Sequence, residues 1–421
     1  MLRRAVVTGL GLITSIGNSR GDVLDSLRNQ RRGIEIHPEL DLPEIPVKLA
    51  GTIKGFHFPT ENRETWKFPE GISIPRTVLR GMSPHAVFAY AAMQEAIVDA
   101  ALNEKQISDP GTGMMCASAG STRMLYRNVD KMLKEGILRC HPLSVAASIA
   151  GTLNFNLVSA FKIRGPATGF VSACSSSAVA FGHALDLIRQ DRQQVVFVAG
   201  AEDCDLFSIL PFGSCRALTT GTDPTRYPCA FDVKRDGFAA TGGAAALVLE
   251  ELSHAQRRGA KIYAEALGWG QTSDGYDVMA PEPSGQGLQR AMQDALRDAG
   301  VDVSEIDYIN AHATSTPSGD AAECRALKKV FGDKRSPLIS STKSQIGHAL
   351  SMAGALEAAI CSLSIRERFT PVSMNITELD PECEGLRIVT ESVEHAPRTV
   401  LSNSSAFGGA NVSLVLREFE Q

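Results

Sequence analysis

The pattern that most constrains this chain is an alternation of short apolar runs with amphipathic stretches of helical period, carried along most of its 421 residues. Such alternation predicts α/β layering, with strands buried in a sheet and helices packed on its faces. Runs at 5–8, 113–117, 195–199 and 244–250 read as strands, and 83–101 and 175–190 read as helices. The second part repeats the theme, with strands at 262–269, 306–310, 338–341, 400–402 and 412–417 and helices at 285–299, 320–331 and 354–366. The two parts meet near residue 255 without a low-complexity linker, so two halves, 1–254 and 255–421, are expected to share one core.

Two segments depart from this grammar. Residues 37–80 and 205–238 are irregular, the first rich in Pro, Gly and charge, and both are expected as surface loops able to cap a site. Several functions are disfavoured from composition. The net charge of −5, from 42 basic and 47 acidic side chains, gives no global basic field, so no nucleic-acid partner is expected. No run approaches the roughly 18 apolar residues of a membrane span. Arg3 and Arg4 ahead of residues 5–16 look faintly like a signal peptide, but Thr8, Gly9, Gly11, Thr14 and Ser15 interrupt the run. A buried first strand fits better, and a cytoplasmic location is expected. Gly9, Gly11 and Gly17 miss the dinucleotide spacing and read as strand-to-turn glycines. None of the nine cysteines forms a Cys-x-x-Cys pair, so reduced buried thiols are expected and no metal site.

One cysteine stands apart. Cys174, in Gly169-Phe170-Val171-Ser172-Ala173-Cys174-Ser175-Ser176-Ser177, lies where an extended apolar approach enters a helix. Unpaired N–H groups and the helix dipole at that position favour a thiolate, the nucleophilic form of the side chain. Far downstream, His312 ends an apolar run and opens the loop Ala313-Thr314-Ser315-Thr316, and His348 follows Lys343-Ser344-Gln345-Ile346-Gly347. One cysteine with two histidines is a parts list for thioester chemistry that makes a carbon–carbon bond. Near the carboxyl end, Asn403-Ser404-Ser405-Ala406-Phe407-Gly408-Gly409-Ala410-Asn411 lies between two strands, its paired glycines able to bring backbone close to a reacting group.

In this order along the whole chain, these segments together with Val6-Val7-Thr8-Gly9-Leu10-Gly11 and Phe231-Asp232…Arg235-Asp236-Gly237-Phe238 resemble the β-ketoacyl-acyl-carrier-protein synthases, elongating condensing enzymes of the thiolase superfamily. Thr314-Ser315-Thr316-Pro317 with Gly319-Asp320 leans toward the bacterial type I and II enzymes. The resemblance implies a five-layer α/β/α/β/α sandwich of two pseudo-twofold halves, a homodimer with the acyl pocket near its interface, and an acyl carrier protein as partner. It implies that Cys174 accepts the acyl group, and that His312 and His348 promote decarboxylation of a malonyl thioester and stabilise its enolate. Neutral imidazole N–H groups suit that task. Lys343 matches the family's active-site lysine, supporting the histidines. The backbone N–H groups of Cys174 and Phe407 would form an oxyanion hole, with Phe407 and Gly408 in a gate. Thr314 and Thr316 would bind the phosphopantetheine arm, Glu357 and Asp320 would lie behind the site, and Arg76, Arg80 and Arg139 would dock the carrier. No metal or organic cofactor is implied, since phosphopantetheine arrives on the substrate protein.

Ala313, Ser351, Met352, Ser405 and Ala406 depart from the family pattern. If position 406 needs positive φ, Ala406 would restrict the Phe407 loop and alter the acyl preference. Three related functions fit less well. A chain-length factor typically lacks the cysteine, a thiolase uses a second cysteine where Phe407 stands, and the ketosynthase III branch uses Cys-His-Asn.

Overall fold

The computed structural model describes residues 2–332, 336–393 and 395–420. Among the described residues, ten strands build two five-stranded halves of one continuous sheet on one plan, and the short strand Arg387–Ile388 extends the second half at its outer edge. In the first, β1 (Ala5–Ile13), β2 (Thr112–Ala117), β3 (Ala167–Phe170), β4 (Val195–Glu202) and β5 (Gly243–Glu251) lie in the order β3-β2-β4-β5-β1. Strands β3, β2 and β4 run parallel, β5 antiparallel to β4, and β1 antiparallel to β5. In the second, β6 (Ala264–Ser273), β7 (Tyr308–Asn310), β8 (Leu338–Ser340), β9 (Thr399–Ser405) and β10 (Ala410–Arg417) lie in the order β8-β7-β9-β10-β6 with the same pairings. Each half, counted from its own first strand, reads 3-2-4-5-1, a pseudo-twofold repeat of topology. The halves meet edge to edge over three antiparallel pairs, Ala5 with Ala266, Val6 with Glu265 and Val7 with Ala264.

The main helices are α1 (Pro84–Asp99), α2 (Thr122–Glu135), α3 (Ser176–Arg189), α4 (Gln286–Ala299), α5 (Pro317–Phe331) and α6 (Ala353–Glu367). Strand alternation sorts the core into layers. Val196 and Val198 of β4 pack with α3 and α6, whereas Val195, Phe197 and Ala199 pack against α1. In the second sheet Val412, Leu414 and Leu416 of β10 face the same central helices, and Val415 faces α4 and α5. The layers are therefore α1, first sheet, α3 with α6, second sheet, and α4 with α5: the five-layer thiolase-like sandwich. Helix α6 is buried continuously from Ala353 to Ile365, as a helix between two sheets must be.

Gly9 and Gly11 lie inside β1 rather than at its turn. A Cβ would stand 2.4 Å from Ala96 O at Gly9 and 1.8 Å from Ala92 O at Gly11, so these glycines let α1 lie directly on the strand. Strand β3 and helix α2 fall in 118–174, which the periodicity leaves unassigned. Residues 37–80 divide in two. Leu40, Ile45, Val47 and Ala50 pack with Phe238 and Leu350, while Phe56, Phe58, Trp66 and Phe68 cluster against Phe88 of α1. Only the first part approaches the residues singled out for chemistry. No helix among the described residues is long and apolar enough to cross a membrane.

Candidate active site

The chain turns sharply between β3 and α3. Ser172 O accepts the Ser175 N–H at 3.1 Å, Ala173 O accepts the Ser176 N–H at 3.2 Å, and Ala173 is held at φ +44°. That left-handed conformation costs a non-glycine residue about 1–2 kcal/mol, strain of the kind that collects at functional turns. Cys174 leaves this turn just ahead of the helix and is 8% exposed. Burial pushes its thiol up to about 12, with the charge of Lys343 pulling the other way. The helix terminus therefore does not deliver a resting thiolate, as the sequence suggests; desolvation wins.

His348 compensates. Its Nε2 is 3.0 Å from Cys174 Sγ, and its backbone is fixed by its N–H donating to Ala239 O at 2.8 Å after Gly347 at φ +101°. The Phe238 ring packs edge-on against the imidazole at 5.0 Å between centroids. His312 emerges from the end of β7, and its ring lies perpendicular to that of His348, 5.3 Å away. Both imidazoles are driven well below the ordinary histidine range by burial, reinforced by the nearby Lys343 charge, so both are neutral. Each Nδ1 finds no hydrogen-bond partner among the described residues.

Lys343 and Glu357 form a buried ion pair, 3% and 2% exposed, between the turn before His348 and helix α6. Burial pushes the Glu357 carboxyl up to about 7 and Lys343 draws it back. Glu323 of α5 is a residue that the sequence reading overlooks. Its carboxylate accepts the backbone N–H groups of His312 at 3.0 Å and Ala313 at 2.7 Å, and Asn403 Nδ2 at 3.1 Å, which locks the strand-end loop. One helical turn earlier, Asp320 accepts the Ser315 N–H at 3.1 Å and the Phe231 N–H at 3.0 Å. The Asp320–Glu323 spacing on a helix opening just after the Thr/Ser loop is the signal that would have found the second carboxylate. Thr314 and Thr316 follow in the same loop, their hydroxyls 3.0 Å apart. Glu202, at the end of β4, accepts the N–H groups of Ser351 and Ala119 at 3.2 Å, and burial pushes it up to about 7.

Among the described residues, no three His, Cys, Asp or Glu side chains are grouped as metal ligands. Against known proteins, residues 2–255 match the family described as beta-ketoacyl synthase, N-terminal domain, and residues 263–377 match beta-ketoacyl synthase, C-terminal domain. The chain belongs to the beta-ketoacyl synthase family.

Relatives span its full length. The 3-oxoacyl-(acyl-carrier-protein) synthase 1 of Haemophilus influenzae is 43% identical over 99% of this chain and 100% of its own, and that of Escherichia coli K12 is 40% identical over 100% of both. A beta-ketoacyl synthase structure from Burkholderia phymatum superposes with a TM-score of 0.90 at 33% identity, covering 99% of this chain and 100% of that one. A type II polyketide ketosynthase solved in complex with its acyl-carrier protein gives 0.87 at 25% identity, with 100% coverage of both chains. The protein is a condensing enzyme of the acyltransferase type. Its reaction is the decarboxylative Claisen condensation that yields a β-ketoacyl thioester in fatty-acid or polyketide-type biosynthesis.

In this synthase Phe407 is half-buried and Gly408 is exposed at φ +81°, its N–H donating to Val278 O at 2.7 Å. The Phe407 ring lies 6.1 Å from Phe212, which packs on Phe238 and so leads to His348. Ala406 has φ −137° and ψ 156°, extended backbone open to any residue. The expected restriction at Ala406 is therefore absent; positive φ belongs to Gly408 and Gly409. Arg76 and Arg80 line a surface cleft of about 780 Å³ with Arg63, Lys131 and His141, while Arg139 lies on the exposed turn Ile137–Arg139 and is not part of its lining. Arg76 is also paired with Glu64.

Proposed function

We propose that Cys174, His312 and His348 carry the condensation, with an acyl carrier protein delivering both substrates. The observation that supports this most is the 3.0 Å contact between His348 Nε2 and Cys174 Sγ, beside a second neutral imidazole in one buried pocket. In the first half-reaction the Cys174 sulfur attacks the acyl thioester. The carrier thiol leaves, and His348 relays the Cys174 proton to it. In the second, the malonyl thioester loses carbon dioxide while N–H groups of His312 and His348 stabilise the enolate oxygen. The enolate carbon then attacks the acyl carbonyl, Cys174 is released, and the product is two carbons longer.

Burial, reinforced by the charge of Lys343, keeps both imidazoles neutral; Lys343 is itself balanced by Glu357, while Asp320 and Glu323 act through the backbone of the His312 loop. The backbone N–H groups of Cys174 and Phe407 form the oxyanion hole in this reading. Thr314 and Thr316 take the phosphopantetheine arm, and Phe407 with Gly408 gates the entrance. The basic cleft of Arg63, Arg76, Arg80 and Lys131 receives the acidic carrier; Arg139 lies outside it. The nucleophile thus comes from the half spanning 1–254 and both histidines from 255–421. The reaction needs neither metal nor organic cofactor, and a cytoplasmic homodimer is the form proposed.

Mass spectrometry of the protein with acyl- and malonyl-carrier protein tests the scheme. The expected result is an acyl adduct on Cys174 and a β-ketoacyl product two carbons longer, both lost in Cys174→Ala. Product formation that survives this substitution would overturn the assignment.

A further inference from the structure

Two cysteines that the condensation does not use lie in contact. Cys324, on α5, and Cys383, on the turn Pro381–Cys383, have their sulfurs 3.6 Å apart, and they are only 1% and 3% exposed. Among the described residues, the other polar contact there is Cys383 Sγ to Phe231 O at 3.8 Å. A disulfide needs the sulfurs at about 2.05 Å. The two partners differ in their freedom to close that gap. Cys324 belongs to a 15-residue helix, whereas Cys383 belongs to a three-residue turn between the exposed residues Pro381 and Glu384. The exposed flanks of that turn also give a small oxidant its approach.

Both elements brace the loop that carries His312. From α5, Asp320 and Glu323 accept the Ser315, His312 and Ala313 N–H groups. From the turn, Asp380 pairs with Arg235 at 2.5 Å, and Arg235 donates to Pro317 O at 3.0 Å. We infer that Cys324 and Cys383 are a redox-linked staple, joined as a disulfide by a peroxide-class oxidant and reopened by a dithiol. One sulfur attacks a peroxide oxygen, the O–O bond breaks, and water leaves a sulfenic acid. The second sulfur attacks that sulfur, the S–O bond breaks, and a second water leaves. Two electrons pass from the sulfurs to the peroxide, and both thiol protons end in water. The bond encloses the segment bearing Lys343, His348 and Glu357, so it stabilises the half of the molecule that holds both histidines.

The test is independent of the proposed reaction, because it is read in the folded full-length Cys174→Ala protein. After hydrogen peroxide treatment and quenching, the intact protein should be about 2 Da lighter by loss of two thiol hydrogens, and alkylation and digestion should then yield one cross-linked peptide pair containing 324 and 383. Dithiothreitol should reverse the change, and Cys324→Ala and Cys383→Ala should each abolish it. The oxidised form should melt several degrees higher than the reduced form, as closure of a long loop requires. Alkylation of both thiols after peroxide, or oxidation of Cys383 to sulfinic acid alone, would overturn the staple.

Discussion

A thiol held near 12 cannot serve as a standing thiolate, so nucleophilicity at Cys174 depends on what its neighbours do with a proton. His348 is placed to move it, and Lys343 sets the state in which His348 works. The same buried ammonium that favours an anion at Cys174 disfavours a cation at either imidazole. This reconciles the two demands of the reaction, a sulfur able to lose its proton and histidines that remain neutral donors. The sign of the pH dependence follows. With both histidines well below their ordinary range, they stay neutral through pH 6.5, and the acid limb of malonyl decarboxylation falls well below that value. Lys343→Met removes one of the two causes and leaves burial, so the histidines rise and the acid limb should move upward. Glu357, already pushed to about 7, takes a proton when its partner is gone and leaves no bare buried charge. Decarboxylation rates between pH 4.5 and 8 for the two proteins check this. An unmoved limb in a folded Lys343→Met protein would mean that Lys343 does not set the charge of the pair.

At the scale of elements, function is concentrated in short turns whose backbone is fixed by larger pieces. The Phe407–Gly409 turn joins β9 to β10, and its left-handed positions are both glycines. At Gly408 a Cβ would meet nothing within 4 Å, so Gly408→Ala costs only the backbone strain of a non-glycine residue at φ +81°, about 1–2 kcal/mol. Gly408→Ala should therefore slow turnover or shift the product chain-length profile, while Ala406→Gly should leave both unchanged. Profiles measured over a series of acyl primers decide it, and a shift in Ala406→Gly would return the restriction to that residue. The residues of these turns are legible in sequence because each stands at a strand end among small side chains, as Cys174, His312 and Phe407 all do. Glu323 is legible only through its spacing from Asp320, because it works through backbone N–H groups eleven and ten positions earlier, a contact that the packed helix creates. Strand β3 escaped because four half-exposed residues show neither alternation nor a continuous apolar run. Whether position 406 needs positive φ is not legible in sequence, because backbone conformation at an alanine leaves no mark on its neighbours; the structure gives it φ −137°.

Across the whole molecule, the pseudo-twofold repeat closes most sheet edges internally, since β1 and β6 join the halves. Strand β3 remains at the end of the sheet with one edge unpaired. Several large apolar side chains of the first half are exposed, and Val171 directly follows β3. Leu133 is 77% exposed, Leu138 97% and Val171 64%, with Tyr126, Ile137 and Phe155 also open. Helix α2 turns most of its apolar face outward, burying only Met124. An open strand edge flanked by apolar side chains invites a like edge, and a twofold axis through β3 would bring the same patch of a second copy onto it. For the homodimer proposed from family resemblance, this edge is the predicted interface. Val171→Glu should convert the proposed dimer to a monomer in sedimentation velocity, because the charge is repeated across the axis and meets its own copy. Turnover should fall with dissociation, since the cysteine turn follows directly from β3 and the unpaired edge would no longer be held. A monomer with full turnover would show that the open edge serves assembly alone, and an unchanged dimer would place the interface on another face.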